Sequence, residues 1–150
     1  MKLRRVTFAA VAIICWLLAL VACERPIRIG LDGKNPPTFT FRGTGQLVTI
    51  SMYEVTDGKI PPIGSESWQI EPLGLLQTPD CPPITYGVLP SGFAQLRPAR
   101  GTSIPPLREG HTYGFGATTR DVRSSTIWFA IRDGKSVRVP KTDGVPDSDL

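Results

Sequence analysis

Thr126-Ile127-Trp128-Phe129-Ala130-Ile131-Arg132-Asp133-Gly134-Lys135-Ser136-Val137-Arg138-Val139 is the stretch that decides the architecture. Ile127, Phe129 and Ile131 recur with a period of two, which puts them on one face of an extended strand. Asp-Gly follows, then a second run containing Val137 and Val139. Asp-Gly between two such runs is a strong signal for a two-residue hairpin, because both central residues must take positive φ. A slip of one residue would turn the whole apolar set outward, so the register is well specified. The chain therefore contains an antiparallel pair with one buried face.

The same patterning extends upstream. Over 46–55, Val48, Ile50 and Met52 share one face and Thr49 and Ser51 the other; over 111–119, Tyr113, Phe115 and Ala117 share a face. Weaker strand signals lie at 27–31, 38–41, 67–71, 84–89, 93–96 and 135–139. All 15 Gly and all 15 Pro fall after residue 23, and no helical period survives among them. Four Pro-Pro pairs, at 36–37, 61–62, 82–83 and 105–106, lack a common context and mark loops, since proline cannot donate to a sheet ladder. About nine short strands without helices predict an all-β fold, a sandwich or a barrel.

Leu107-Arg108-Glu109-Gly110-His111-Thr112-Tyr113 narrows the choice. Leu-x-x-Gly-x-x-Tyr ahead of a strand resembles the tyrosine corner of fibronectin type III and immunoglobulin-like domains. The resemblance spans roughly residues 35–139 and implies an antiparallel β-sandwich, with Leu107, Gly110 and Tyr113 as a structural corner. In antibody domains a disulfide cysteine stands two residues after this tyrosine. Here Phe115 occupies that place, so packing is expected to replace the bridge. Trp68 is a candidate core tryptophan.

The N-terminus carries a separate message. Lys2, Arg4 and Arg5 precede an uncharged, nearly all-apolar run over 6–22, which ends in Leu20-Val21-Ala22-Cys23. A basic start, an apolar run and a small residue before the break form a secretory signal pattern. The last four residues resemble the lipobox of bacterial lipoproteins. That resemblance implies cleavage between Ala22 and Cys23, a diacylglycerol thioether on Cys23 and acylation of its amine, with palmitate as a typical acyl group. More than one chain gives firm anchoring where a single chain would not. An uncleaved transmembrane helix is the alternative, since the run is at the short edge of a spanning length. Both readings export residues 23–150. In the family this stretch resembles, Asp directly after the cysteine signals retention at the inner membrane; Glu24 stands there instead, so the resemblance implies the outer membrane, facing the periplasm. The expected organisation is a helical signal peptide over 1–22, a lipidated N-terminus and tether over 23–34, a sandwich over 35–140 and a flexible polar tail over 141–150.

Charge and cysteine usage exclude several classes. Without Lys2, Arg4 and Arg5 the chain has 14 basic against 13 acidic residues, too balanced for a nucleic-acid stripe, so no nucleic-acid partner is expected. Cys81 is the one thiol left after cleavage and acylation, so no internal disulfide framework is expected. It reads as a small, partly buried apolar residue, or else as a reactive or intermolecular thiol. His111 is the only histidine, and nothing in the sequence designates a nucleophile or an orienting acid for it. No metal-ligand spacing and no phosphate loop stand out, and Asp143, Asp147 and Asp149 lie in the polar tail. The expectation is therefore no catalytic residue, no metal and no cofactor. Gly114 and Gly116 leave a bare strand face, either covered by another segment or open as a shallow site. Trp68, Tyr86 and Trp128 are the aromatics to test for exposure. Trp128 points away from Ile127 and Phe129, with Arg132 on its own face, so Trp128 and Arg132 form the candidate partner contact; a covering layer over Trp128 is the equal alternative.

These readings add up to an envelope lipoprotein bearing a non-catalytic binding or assembly module, with a membrane contact through its lipid and an envelope protein or cell-wall partner. A structural lipoprotein that self-associates through Cys81 or a sandwich face is the alternative, and a lipid-anchored hydrolase is the third class.

Overall fold

The computed structural model describes residues 26–140, apart from 57, 60 and 63. The expected signal peptide with its basic start and Cys15, the Ala22–Cys23 cleavage point, the lipidation site, Glu24 and the tail over 141–150 lie outside the described residues.

The described chain is an all-β sandwich of two antiparallel sheets. In order, its strands are β1 (Arg28–Leu31), β2 (Thr38–Arg42), β3 (Gln46–Val55), β4 (Trp68–Pro72), β5 (Leu76–Gln77), β6 (Ile84–Thr85), β7 (Phe93–Arg97), β8 (Thr112–Thr119), β9 (Ser125–Arg132) and β10 (Lys135–Arg138). One 3-10 turn, Thr78–Asp80, follows β5. The small sheet has the order β1-β2-β6. The large sheet runs β10-β9-β8-β3-β4-β7, with β5 also pairing with β3.

The Asp-Gly hairpin forms as its sequence predicts. Arg132 pairs with Lys135, and Asp133 and Gly134 take φ values of 53° and 67°, the two positive angles this turn requires. Glu109 braces it from a neighbouring loop, accepting the backbone N–H groups of Asp133 at 2.6 Å and Gly134 at 3.3 Å.

The core fills the space between the sheets. Ile127, Phe129 and Ile131 of β9 and Tyr113, Phe115 and Ala117 of β8 all point inward and are buried. Phe115 stacks on Phe39 of β2 with ring centroids 3.5 Å apart, and Phe39 also meets Phe129. An aromatic pair thus ties the two sheets together. Trp68 is fully buried on β4, in the same sheet as β8 and separated from it by β3.

Three expectations are corrected. On β3 the inward set is Leu47, Ile50 and Met52, not Val48, Ile50 and Met52. A bulge between Leu47 and Thr49 gives β3 one extra residue against β8 and shifts the alternation there. The expected strand over 84–89 stops at Thr85, because Val88 N–H turns back to the Thr85 carbonyl. The folded body also begins before residue 35: Ile27 and Ile29 are each 4 % exposed and β1 pairs with β2, so residues 27–31 of the expected tether over 23–34 belong to the sandwich.

The ladder gives the molecule two distinct ends. At one, the β2–β3 turn contains Gly45, whose carbonyl accepts both the backbone N–H and the hydroxyl of Thr78 at 2.9 and 2.8 Å. Gly45 has φ +118°, and a Cβ there would fall 2.4 Å from Val122, so the turn demands glycine. β1 begins at this Gly45 end, since Arg28 pairs with Arg42. At the other end lie the β1–β2 turn, the segment after β6 and the long connection from β7 to β8.

Candidate functional site

The long connection at the second end shapes a concavity. A cavity of about 590 Å³ opens between Asn35 and Pro36 of the β1–β2 turn, Tyr86 and Gly87 after β6, and Thr102 to Leu107 of the β7–β8 connection. A recess of about 290 Å³ adjoins it, lined by Glu54, Ser67, Tyr86, Pro105, Pro106, Arg108 and Tyr113. Tyr86, Pro105 and Pro106 belong to both walls, so the two make one cleft. Two of the four Pro-Pro pairs contribute to it, from opposite sides.

Two tyrosines fix the walls. Tyr86, packed edge-on against Trp68 at 5.4 Å, donates its hydroxyl to the Pro105 carbonyl at 2.7 Å. Tyr113 accepts the backbone N–H of Arg108 at 2.8 Å, closing the chain back on itself five residues upstream. Burial pushes the Tyr86 hydroxyl up to about 12, so it stays a neutral donor. The prolines fix φ and the hydroxyls fix the carbonyl and amide positions, so bonds within the chain itself hold the walls of the cleft.

Polar groups gather at the rim of the recess. Glu54 continues the inward face of β3 beyond Ile50 and Met52, where the core ends. Arg108 reaches both of its carboxylate oxygens, at 2.5 and 2.7 Å, and His111 Nδ1 lies 2.5 Å from Oε1. The Arg108 guanidinium holds the Glu54 carboxyl below its ordinary value, His111 adds to the same effect, and partial burial opposes it. The side chains of Arg108 and His111 are 60 % and 39 % exposed, so this is a clamp in high dielectric rather than a buried ion pair. Arg97 and Glu66 form a second pair, at 3.2 Å.

The sequence names His111 without an acid; β3 supplies one in Glu54, 57 residues away. The pairing of Val55 with Thr112 and Glu54 with Tyr113 sets them side by side. No local signal shows this, because it follows from the register of strands distant in sequence. Among the described residues no group of three or more His, Cys, Asp or Glu is placed to hold a metal ion, and no helix is long and apolar enough to cross a membrane.

The other singled-out residues lie elsewhere. Of the corner residues, Leu107 and Tyr113 line the cleft and its recess, and Gly110, at φ +77°, turns the chain between them. Trp68, Tyr86 and Trp128 are all buried, at 0, 6 and 8 % exposure. Trp128 is covered: Tyr53 meets it edge-on at 5.7 Å across Gly114, and a Cβ on Gly114 would fall 2.5 Å from the Tyr53 ring. The bare face at Gly114 is therefore closed by an aromatic side chain. Arg132 is exposed at the end of β9; neither it nor Trp128 lines the cleft. Cys81 is half-buried against the core, its thiol pushed up to about 12 by burial, which leaves almost no thiolate at neutral pH.

Compared with protein-family models, with curated proteins and with solved structures, the chain shows no match. The site is read from its own geometry.

Proposed function

We propose that this chain is a lipid-anchored lipoprotein of the bacterial envelope, in the outer membrane facing the periplasm, whose single sandwich is a non-catalytic binding module. The observation that carries the binding reading is the cleft: Pro36, Pro105, Pro106 and Tyr86 form fixed walls around about 590 Å³ of open space. Polar Asn35, Thr102 and Ser103 are interspersed among them, the mixture of apolar surface and few polar groups that ligand sites use. Glu54 is occupied on both oxygens by Arg108 and His111, which suits a brace for the cleft rim better than an acid–base pair.

An immunoglobulin-like or fibronectin type III-like identity fits the same data. The strand order β9-β8-β3-β4 opposite β1-β2-β6, the Tyr113–Arg108 contact and the Phe39–Phe115 stack in place of a bridge all support it. Sandwiches host many functions, so the fold carries no ligand with it. The anchor reading rests on Leu20-Val21-Ala22-Cys23 alone.

Two measurements test the proposal. The intact mass of protein purified from bacterial membranes is expected to show a chain beginning at Cys23 with diacylglyceryl and acyl mass, lost in Cys23→Ala; an unmodified chain still carrying residues 1–22 overturns the anchor. Ser103→Trp fills the cleft from an exposed position. It is expected to leave thermal unfolding unchanged and to abolish co-purification of the envelope partner recovered with the parent chain. Undiminished recovery overturns the cleft as the recognition surface.

A further inference from the structure

At the Gly45 end, opposite the cleft, Leu73 and Leu75 flank Gly74 on the turn between β4 and β5 and are 73 and 83 % exposed, the two most exposed large apolar side chains among the described residues. We propose that this end is a membrane-contact surface, in which Leu73 and Leu75 enter the outer part of an anionic leaflet and the exposed arginines of the same end meet lipid phosphates. The inference rests on the reading of residues 1–23 as a membrane anchor, lipid or helix.

Placement argues for it first. Leu76 pairs with Leu47 at the start of β3, and Leu73 N–H is bonded to the Gly92 carbonyl at 2.8 Å, so the turn is fixed at this end with both leucines facing out. β1 starts at the same end, where Arg28 pairs with Arg42 three residues before Gly45. Ile27, the residue before β1, is locked in the core at 4 % exposure. Cys23 lies four residues before it, so even a fully extended chain puts the anchor within about 14 Å of Ile27. A leash of that length holds the Gly45 end at the bilayer and aims the cleft away from it.

Exposed arginines at this end can meet lipid phosphates. Arg28, Arg42 and Arg120 are exposed here, Arg120 being set by its backbone bond to the Gln46 carbonyl at 3.0 Å. Asp80, Asp121 and, one step up β4, Glu71 are the acids of this end, and Asp121 already accepts the Gln46 N–H at 2.7 Å. Exposed apolar side chains on an end that also presents exposed arginines have the composition of an interfacial contact.

The test uses the full chain, purified from bacterial membranes and reconstituted in vesicles of phosphatidylglycerol and phosphatidylethanolamine. The phosphatidylglycerol carries a photoreactive diazirine on its acyl chain. After irradiation, peptide mapping is expected to find lipid adducts on the 73–76 segment and none on the 102–107 segment of the cleft. Leu73→Ser/Leu75→Ser is expected to remove those adducts without changing the melting temperature. Replacing phosphatidylglycerol by phosphatidylcholine, with the probe moved to that lipid, is expected to lower their yield severalfold. A vesicle-bound chain with no adducts on 73–76, or with adducts at the cleft instead, overturns the proposal. Intact mass on the same sample separates this from the anchor: adducts at 73–76 on a chain without added lipid support the contact surface while overturning the lipoprotein reading.

Discussion

The two ends of the sandwich are made in different ways. At the Gly45 end the connections are short: three residues join β2 to β3, and backbone bonds such as Thr78 N–H to Gly45 and Arg120 N–H to Gln46 hold them. At the cleft end fourteen residues separate Arg97 from Thr112, too many for backbone pairing alone to order. Prolines and side-chain hydroxyls do it instead, through Tyr86 to Pro105 and Tyr113 to Arg108. A short-turned end presents little more than its exposed side chains, whereas a long loop pinned at two points can enclose a cavity. The difference teaches that a cavity forms where local sequence specifies structure least.

The largest expected effect removes what both ends share. Phe115 stacks on Phe39 across the core and is fully buried, so Phe115→Ala leaves a cavity between the two sheets. A loss of about 3–5 kcal/mol is expected in urea unfolding. Both ends should melt together, read by amide hydrogen exchange at Thr78 and at Arg108. If one end kept its protection, the core would not unite them.

Gly114→Ala tests the sheet face between the ends. The new Cβ meets the ring of Tyr53, which must leave its contact with Trp128. A cost of about 1–3 kcal/mol is expected. Tyr53→Ala in the same chain should relieve most of it, a coupling that a double-mutant cycle measures directly. Additive losses would show that Tyr53 is not what forbids a side chain at 114.

Tyr113→Phe acts on the cleft end alone. It leaves the ring packed on Phe129 and deprives the Arg108 N–H of its acceptor. About 1 kcal/mol of stability should be lost. Faster hydrogen exchange should be confined to the β7–β8 connection, with Gly45 and Thr78 unaffected.

How far these features were legible follows the same division. The Asp-Gly hairpin and the inward faces of β8 and β9 are written in neighbouring residues, because alternation and turn chemistry are local. Val48 in place of Leu47 was misassigned because a bulge is a relation between two strands, and β3 alone does not carry it. The corner motif marked Tyr113, yet not the cleft beside it, since residues 35–36, 86–87 and 102–107 meet only through the sheet order. Glu54 could not be joined to His111 for the same reason. The exposure of Leu73 and Leu75 has no sequence signal, because a leucine-glycine turn has the same sequence whether it is covered or bare.

The smallest expected effect tests the brace at the cleft rim. Glu54 in the folded chain titrates below its ordinary value of 4.5, chiefly because Arg108 hydrogen-bonds its charged form. A carboxyl whose folded value is depressed adds stability that is fully present above the unfolded value and lost as pH falls through the folded one. Glu54→Gln should therefore lower the melting temperature slightly near neutral pH. The gap to the parent should hold steady down to about pH 5 and close as acid protonates the parent's carboxyl. Exposure of Arg108 keeps the effect small and makes it fall further with added salt. The same variant frees the Arg108 and His111 side chains that hold Glu54, so hydrogen exchange near Arg108 should rise while Thr78 at the far end stays protected. A gap that widened in acid would mean that Glu54 is stabilised in its protonated form, and the rim would then be held by something other than this clamp.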